Sequence, residues 1–344
     1  MIINNKKQDW KIDIPVVINF FVRPRTFEKA FSIIKTVKPR QLFLISDGPR
    51  KNVPSDYSKV EECRKIAEEI DWNCEVYKFY NEENKGLFDT YFDNMKKVFE
   101  IVDKCIFLED DLIPSESFFP YCKYLLEKYE NDLRIQYVSG MNPLGVYNEP
   151  DGDYFFSGES SIWGYGIWKR TFNNMNLNYR KNSYALRCII DVAKEQKKGY
   201  ERRIIKTASN PMWEGHQPHV EFYKNFMRFS DSQLCIVPCK NLISHIGIGS
   251  EESTHGSSSL KVLPKGTRFL HFSKTFELTF PLKDPEFIVR DIKYEKKIRN
   301  ILAYNQPLKQ LYRKIEALIL ALLHGDIKRV KYKFKHLFVR DKSK

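Results

Sequence analysis

The sequence predicts an α/β fold, a mainly parallel sheet flanked by helices, followed by a helical, basic extension at its carboxyl end. Three observations carry that expectation. Between Val16 and Ser139, short apolar runs alternate with segments whose apolar residues recur every three or four positions, the signature of strands joined by crossover helices. The runs are apolar at consecutive rather than alternate positions, as in a sheet covered on both faces. From about residue 295 the pattern turns to helical spacing with a large excess of Lys and Arg.

The elements follow in order. Pro15-Val16-Val17-Ile18-Asn19-Phe20-Phe21-Val22 reads as a buried first strand and Arg23-Pro24-Arg25-Thr26 as the turn after it. Thr26 is the expected N-cap of a helix whose Phe27, Ala30, Phe31, Ile34 and Val37 share one face. Gln41–Ile45 is a second strand, closed by the turn Ser46-Asp47-Gly48-Pro49. A helix over Tyr57–Ile70, a strand over Cys74–Phe79 and a helix over Gly86–Val102 come next, the last with Leu87, Tyr91, Met95 and Val98 on one side. The fourth strand, Cys105-Ile106-Phe107-Leu108, ends in Glu109-Asp110-Asp111; a helix over Ser115–Tyr129 and a strand over Ile135–Ser139 complete the alternating part. Beyond Gly140 the chain reads as irregular, aromatic and glycine-containing to about Arg180. A helix over Tyr184–Lys197, a strand over Leu234–Val237 and a polar, glycine-bearing loop over Asn241–Gly256 then follow.

Composition narrows the class. The 344 residues are 42% hydrophobic and 29% charged, which is globular content. Met1–Lys11 is polar with no apolar segment after it, and no run approaches the roughly 18 apolar residues of a membrane span. The expectation is a cytoplasmic chain. Seven scattered cysteines fit reduced thiols, and Cys235 and Cys239 lack the second pair that a zinc site needs. His216 and His219, separated by Pro218, lack the H-E-x-x-H spacing of a zinc hydrolase. No G-x-G-x-x-G follows the first strand and no G-x-x-x-x-G-K-[ST] occurs, which disfavours dinucleotide-binding dehydrogenases and P-loop enzymes.

The chemistry-bearing stretch is Glu109-Asp110-Asp111. Three carboxylates at a strand tip repel one another and resist burial, so an Arg or Lys partner or a divalent cation must offset them. Carboxylate oxygens suit Mg2+ or Mn2+, ions that commonly accompany a nucleotide's phosphates. Ligands of open α/β sheets bind at the carboxyl ends of the strands. The competing reading is an acidic turn that caps the following helix. The enzyme reading depends on the cation: that corner found empty in the presence of manganese and a uridine or guanosine diphosphate, or filled by an arginine of the same chain, would overturn it.

Two further segments stand out. Trp163-Gly164-Tyr165-Gly166-Ile167-Trp168 reads either as a tight backbone beside a flat wall for sugar rings or as a structural aromatic cluster. Glu214, beside Trp213 near a helix start, is either a general base kept ionised by the helix dipole or an ordinary first-turn glutamate. His255, in the late loop, is a candidate nitrogen ligand or diphosphate contact.

Taken in order, Arg23-Pro24, Ser46-Asp47-Gly48, Asn84-Lys85-Gly86, Glu109-Asp110-Asp111 with Phe118-Phe119, Trp163-Gly164-x-Gly166-x-Trp168, Trp213-Glu214 and Ser253-Thr254-His255-Gly256 resemble a GT-A-fold glycosyltransferase. The nearer likeness is to bacterial family-2-like enzymes of capsule and lipopolysaccharide synthesis. The more distant one is to the animal N-acetylglucosaminyltransferase that initiates complex N-glycans. The resemblance spans about Val16–Gly256 and implies a Rossmann-like sheet, with a donor half over 12–140 and an acceptor half over 141–275. It implies Mn2+ or Mg2+ and a UDP- or GDP-sugar donor. Phe21, Arg23 and Asp47 would hold base and ribose, with Lys85 nearby. Glu109, Asp110 and above all Asp111 would serve the metal and diphosphate, and His255 would lie beside both. Glu214 would deprotonate the acceptor hydroxyl, in an inverting hexosyl or N-acetylhexosaminyl transfer to a lipid-linked glycan. Trp163, Gly164, Trp168 and Trp213 would wall the sugar. This chain departs from the pattern in having Glu214 for aspartate, His245 where asparagine is common, and Gly164-Tyr165-Gly166 for Gly-Trp-Ala.

The extension over 295–344 lies outside the resemblance. Leu308, Leu311, Ile315, Leu318, Ile319, Leu322 and Leu323 recur at helical spacing, and from Ile301 onward eleven basic residues face only Glu316, Asp326 and Asp341. That suits either an interfacial helix on anionic lipid or a helix packed on the enzyme with a basic end. Two other functions remain open: a nucleotidyltransferase on the same sheet, and a non-catalytic basic module for membranes or nucleic acid. No nucleic-acid motif accompanies the basic residues.

Overall fold

The computed structural model describes residues 10–175, 182–196, 224, 228, 230–249, 259–303, 306–327 and 330. They fall into two compact units. The first holds the described residues up to Met175 together with 233–246 and 273–291, and the second holds the rest.

The first unit is built on an eight-stranded sheet. Its strands are β1 (Val16–Phe20), β2 (Gln41–Ser46), β3 (Glu75–Tyr80), β4 (Lys104–Glu109), β6 (Ile135–Ser139), β7 (Tyr154–Ser157), β8 (Tyr165–Trp168) and β9 (Leu234–Pro238). They stand in the order β3-β2-β1-β4-β8-β6-β9-β7. The β3–β2, β2–β1, β1–β4 and β6–β9 pairings are parallel, while β8 runs against β4 and β6, and β7 against β9. The expected α/β fold is therefore present, a mostly parallel, Rossmann-like sheet with helices packed on it. All five residues of β1 are buried, as a central strand covered on both faces requires. The edge strand β3 has no buried residue: Glu75 and Lys78 are exposed and the other four are half-buried.

Helices α1 (Pro24–Val37), α2 (Ser55–Ala67), α3 (Leu87–Ile101) and α4 (Phe118–Lys128) fill the crossovers. In α1 the buried face is Pro24, Phe27, Ala30, Phe31, Ile34 and Val37, the spacing read from the sequence. Phe27, Phe31, Ile34 and Val37 each contribute about 1.5–3 kcal/mol on burial. Its start differs from expectation: Arg23 is the N-cap and Pro24 opens the helix, because a residue without an N–H loses nothing in the first turn. Thr26 instead donates its hydroxyl to the Arg23 carbonyl. Leu87, expected on the apolar side of α3, is 51% exposed.

Two features escaped the pattern. A short ribbon pairs β5 (Leu112–Pro114) with β10 (Ile243–His245), placing His245 opposite Leu112. The segment expected to be irregular also contains β7, β8 and the short helix α5 (Lys169–Asn173). Residues 273–291 strap across this unit. The Glu277 carboxylate accepts the Glu116 and Ser117 N–H groups ahead of α4, and Asp284 accepts the hydroxyls of Tyr124 and Tyr154 and pairs with Lys128.

The second unit contains α6 (Ser183–Gln196), a 3-10 turn over Leu260–Val262, α7 (Lys265–Arg268), α8 (Ile292–Leu302) and α9 (Pro307–Leu323). Ser259 caps the 3-10 turn by accepting the Lys261 N–H. Among the described residues, no helix is long and apolar enough to cross a membrane.

Candidate functional site at the strand tips

Strand order explains why one corner of the sheet can receive a ligand. The chain passes from β1 outward to β2 and β3, then returns through α3 to place β4 on the other side of β1. The connections after β1 and β4 thus diverge, leaving a crevice at the carboxyl ends of these strands. Arg23 follows β1 and Asp110-Asp111 follow β4, so all three stand at the crevice.

Both aspartates are buried, at 2% and 5% exposure. Arg23 reconciles them with one another: one guanidinium nitrogen lies 2.9 Å from Asp110 Oδ1 and the other donates to Asp111 Oδ2 at 2.5 Å. The Phe21 N–H donates to Asp110 Oδ2 at 3.1 Å. His245 Nε2 approaches Asp111 Oδ2 at 3.3 Å, held there by the β5–β10 ribbon and by the Ile246 N–H on the Asp111 carbonyl. The half-buried Trp163 stacks on the His245 ring, centroids 4.2 Å apart and planes within 14°. Gly164, next in the chain, has φ +67°, and a Cβ there would stand 2.6 Å from Ile243 of the ribbon.

The electrostatics separate the two carboxyls. Burial raises Asp110, and although Arg23 opposes it the carboxyl is pushed up to about 6. For Asp111 the same burial is overcome by the His245 hydrogen bond and the Arg23 charge, which hold it down at about 2. Arg23 itself loses stabilisation by burial but is raised above its ordinary value by Asp110 and Asp111. One atom is left over: Asp111 Oδ1 is buried with no hydrogen-bond partner. A bare, ionised carboxylate oxygen is costly, and its chemistry fits a hard cation.

The predicted site residues divide accordingly. Asp110, Asp111, Arg23, Phe21, Trp163 and Gly164 gather at the corner, with Glu109 half-buried at the last position of β4 and level with Asn19 of β1. Arg23 serves there as counter-ion to the aspartates: an arginine of the same chain fills this corner. That counts against a cation beside Asp110 and Asp111 Oδ2, and leaves Asp111 Oδ1 as the one oxygen of the two carboxyls still open to a cation. Asp47 is engaged differently. Its carboxylate accepts the N–H groups of Gly48, Lys85 and Gly86 and the side-chain amides of Asn81 and Asn84, so it builds the loop before α3. Lys85 is exposed, its ammonium 3.1 Å from Asp93. The Phe21 ring lies under the Arg50 guanidinium at 5.5 Å.

Trp168 corrects the expected sugar wall. It is 2% exposed, donates its indole N–H to the Leu126 carbonyl and lies under Arg170. The strand's alternation turns it toward α4, and Gly166 on the same face is bare because a Cβ would meet Leu126 at 2.9 Å. Trp168 is a core residue. Trp213, Glu214 and His255 lie outside the described residues. Among the described residues no three His, Cys, Asp or Glu side chains converge as a complete ligand set for a metal. His245, noted from the sequence only as a departure from the resembled pattern, was given no place at the site by sequence reasoning. Its available signal was a histidine closing an apolar run just before Gly247.

No protein-family model matches this chain, and no curated protein matches it. Among solved structures it is similar to the inositol-1-phosphate CTP transferase from T. maritima, with a TM-score of 0.35 and 9% identity over 69% of this chain and 91% of that one. It is also similar to mouse xyloside xylosyltransferase 1 in its apo form, with a TM-score of 0.34 and 11% identity over 68% of this chain and 97% of that one. Likeness at this level bears on neither activity nor substrate, and the architecture rests on the strand order itself.

Proposed function

We propose that this chain is a glycosyltransferase that moves a sugar from a nucleoside-diphosphate donor to a hydroxyl of a glycan, with inversion. The observation that carries the reading is the bare, buried Oδ1 of Asp111 in the crevice between β1 and β4. Around it stand Arg23 and His245, donors suited to phosphate oxygens, and the half-buried Trp163, whose flat face suits a sugar ring. Within this class we favour the bacterial family-2-like enzymes of surface polysaccharide synthesis, on the ordered motifs described above. The donor half is then residues 12–140 and the acceptor half 141–275.

Asp111 and His245 are the described residues that would hold a divalent cation, with His255 a further candidate. A bound Mn2+ or Mg2+ would supply positive charge against the departing diphosphate. Arg23 keeps the two aspartates from repelling one another, and Asp111 stays ionised. With Asp110 paired to Arg23 and Asp111 taken up by the cation, we assign the acceptor's proton to a base elsewhere in the chain. Glu214 is our choice for that base.

The test is a panel of UDP- and GDP-sugars, with and without Mn2+, read for released nucleoside diphosphate. Asp111→Asn should keep the fold and lose cation-dependent nucleotide binding, and Glu214→Gln should bind donor without transfer. Full activity in Asp111→Asn would overturn the site. Release of pyrophosphate would make the protein a nucleotidyltransferase instead.

A further inference from the structure

Helix α9 is inside out. Of its 17 residues only Ala317 and Ala321 are buried, whereas Leu308, Leu311, Tyr312, Ile315, Ile319 and Leu322 are between 44% and 81% exposed. At 100° per residue these six fall within an arc of about 100°, with the two alanines on the opposite side. A helix of a soluble unit ordinarily turns its large apolar stripe inward. Here the stripe's outward direction is set by contacts on the other side. The helix packs on the 3-10 turn at Leu260–Val262, Glu316 accepts the Lys265 N–H at 3.0 Å, and Arg313 donates to the Gly266 carbonyl at 3.4 Å. All of these belong to the second unit.

We propose that α9 docks on an anionic lipid surface, lying in the plane of the interface with this stripe in the acyl boundary. Charge selects this occupant. The helix carries Lys309, Arg313 and Lys314, and its single acid, Glu316, is engaged by the Lys265 N–H. From His324 to the end the sequence adds eight Lys and Arg against Asp326 and Asp341. Two copies meeting stripe to stripe would bring these like charges together, whereas anionic lipid rewards each nearby basic residue by about 1 kcal/mol. Seventeen residues span about 25 Å, short of the hydrocarbon thickness, and one side is polar, so the helix lies on the membrane rather than crossing it. This inference does not depend on the activity proposed above.

The full chain should co-sediment with vesicles of phosphatidylcholine containing 30% phosphatidylglycerol. It should leave pure phosphatidylcholine vesicles in solution and dissociate in 0.5 M NaCl. The triple variant L311E/I315E/I319E changes exposed side chains alone and should keep the wild-type circular dichroism and melting temperature while binding at least tenfold more weakly. Leu308→Ser, a milder change at the most exposed position, should weaken binding a few-fold. Failure of the wild-type chain to bind acidic vesicles overturns the proposal, as does equal binding by the triple variant. A wild-type dimer in sedimentation velocity that the triple variant abolishes would likewise overturn it, by making the stripe a contact between copies.

Discussion

Two aspartates end neighbouring regions of the same sheet, Asp47 after β2 and Asp111 after β4, and both are buried. Their surroundings are opposite. Asp47 meets five donors, three backbone N–H groups and two asparagine amides, shared between its two oxygens at 2.8–3.0 Å. Asp111 receives Arg23 and His245 on one oxygen and nothing on the other. Neutral donors in excess are how a fold neutralises its own buried carboxylate. A carboxylate paired with Arg23 on one oxygen and unfilled on the other is able to take a ligand. Position at a strand tip is therefore a weak indicator of function, and the state of the acceptor atoms is a strong one.

The largest effect expected from this contrast is on stability. Asp47→Ala leaves five donors without their acceptor, those of Gly48 and Asn81 buried, and should cost about 3 kcal/mol or more. Asp111→Asn keeps the shape of a side chain that is already short of partners, and should change stability by about 1 kcal/mol or less while removing nucleotide binding. Urea unfolding of both variants, with the slope checked against the wild type, measures the difference. Equal losses would mean that Asp111 is as structural as Asp47.

Arg23 offers a second way to sharpen it. Its guanidinium pairs with Asp111 Oδ2, so a cation held by this carboxylate would have to share its charge with the arginine. Arg23→Ala should lower the melting temperature at neutral pH, since Asp110 and Asp111 lose their shared counter-charge. Added Mn2+ should then restore it, by more than it raises the wild type, through binding to the folded state alone. The corresponding gain in Mn2+ affinity is roughly tenfold, about 1.4 kcal/mol, read by titration calorimetry. An unchanged affinity would show that the arginine does not share the carboxylate's charge with the ion.

Much of this contrast could be read before the fold was seen. The strand–helix alternation, the buried face of α1 and the acidic end of β4 follow from local pattern, because each is decided within a dozen residues. The arginine alternative was legible for the same reason: three acids at a strand tip require positive charge wherever it comes from. The role of His245 was not, since its place is decided by a ribbon pairing with Leu112, 133 residues earlier in the chain. Trp163 and Trp168 looked equivalent, five positions apart beside alternating glycines. Only the facing of β8 separates them, sending Trp168 into the core against Leu126 while Trp163 reaches His245. The glycines likewise serve close approach of Ile243 and Leu126, a demand made by elements remote in sequence.

The smallest effect concerns a third buried carboxylate, Asp56 in the first turn of α2, which tests whether saturation by the chain's own donors is what makes such a group structural. Asp56 accepts from the Arg50 backbone N–H and from two of its guanidinium nitrogens. The Arg50 hydrogen bond, opposed by burial, lowers its pKa below the usual carboxylate value. A carboxyl depressed in the folded state contributes stability above the unfolded pKa of about 3.9, and loses it as pH falls through the folded value. Asp56→Asn should therefore cost most near neutral pH and progressively less below about pH 4. Because Arg50 is 39% exposed and solvent screens the pair, the difference should be about 1 kcal/mol or less. Urea midpoints for wild type and variant between pH 3 and 7 give the result. Two curves that stay parallel across that range would show that Arg50 contributes packing rather than charge, and that donor count alone does not identify a structural carboxylate.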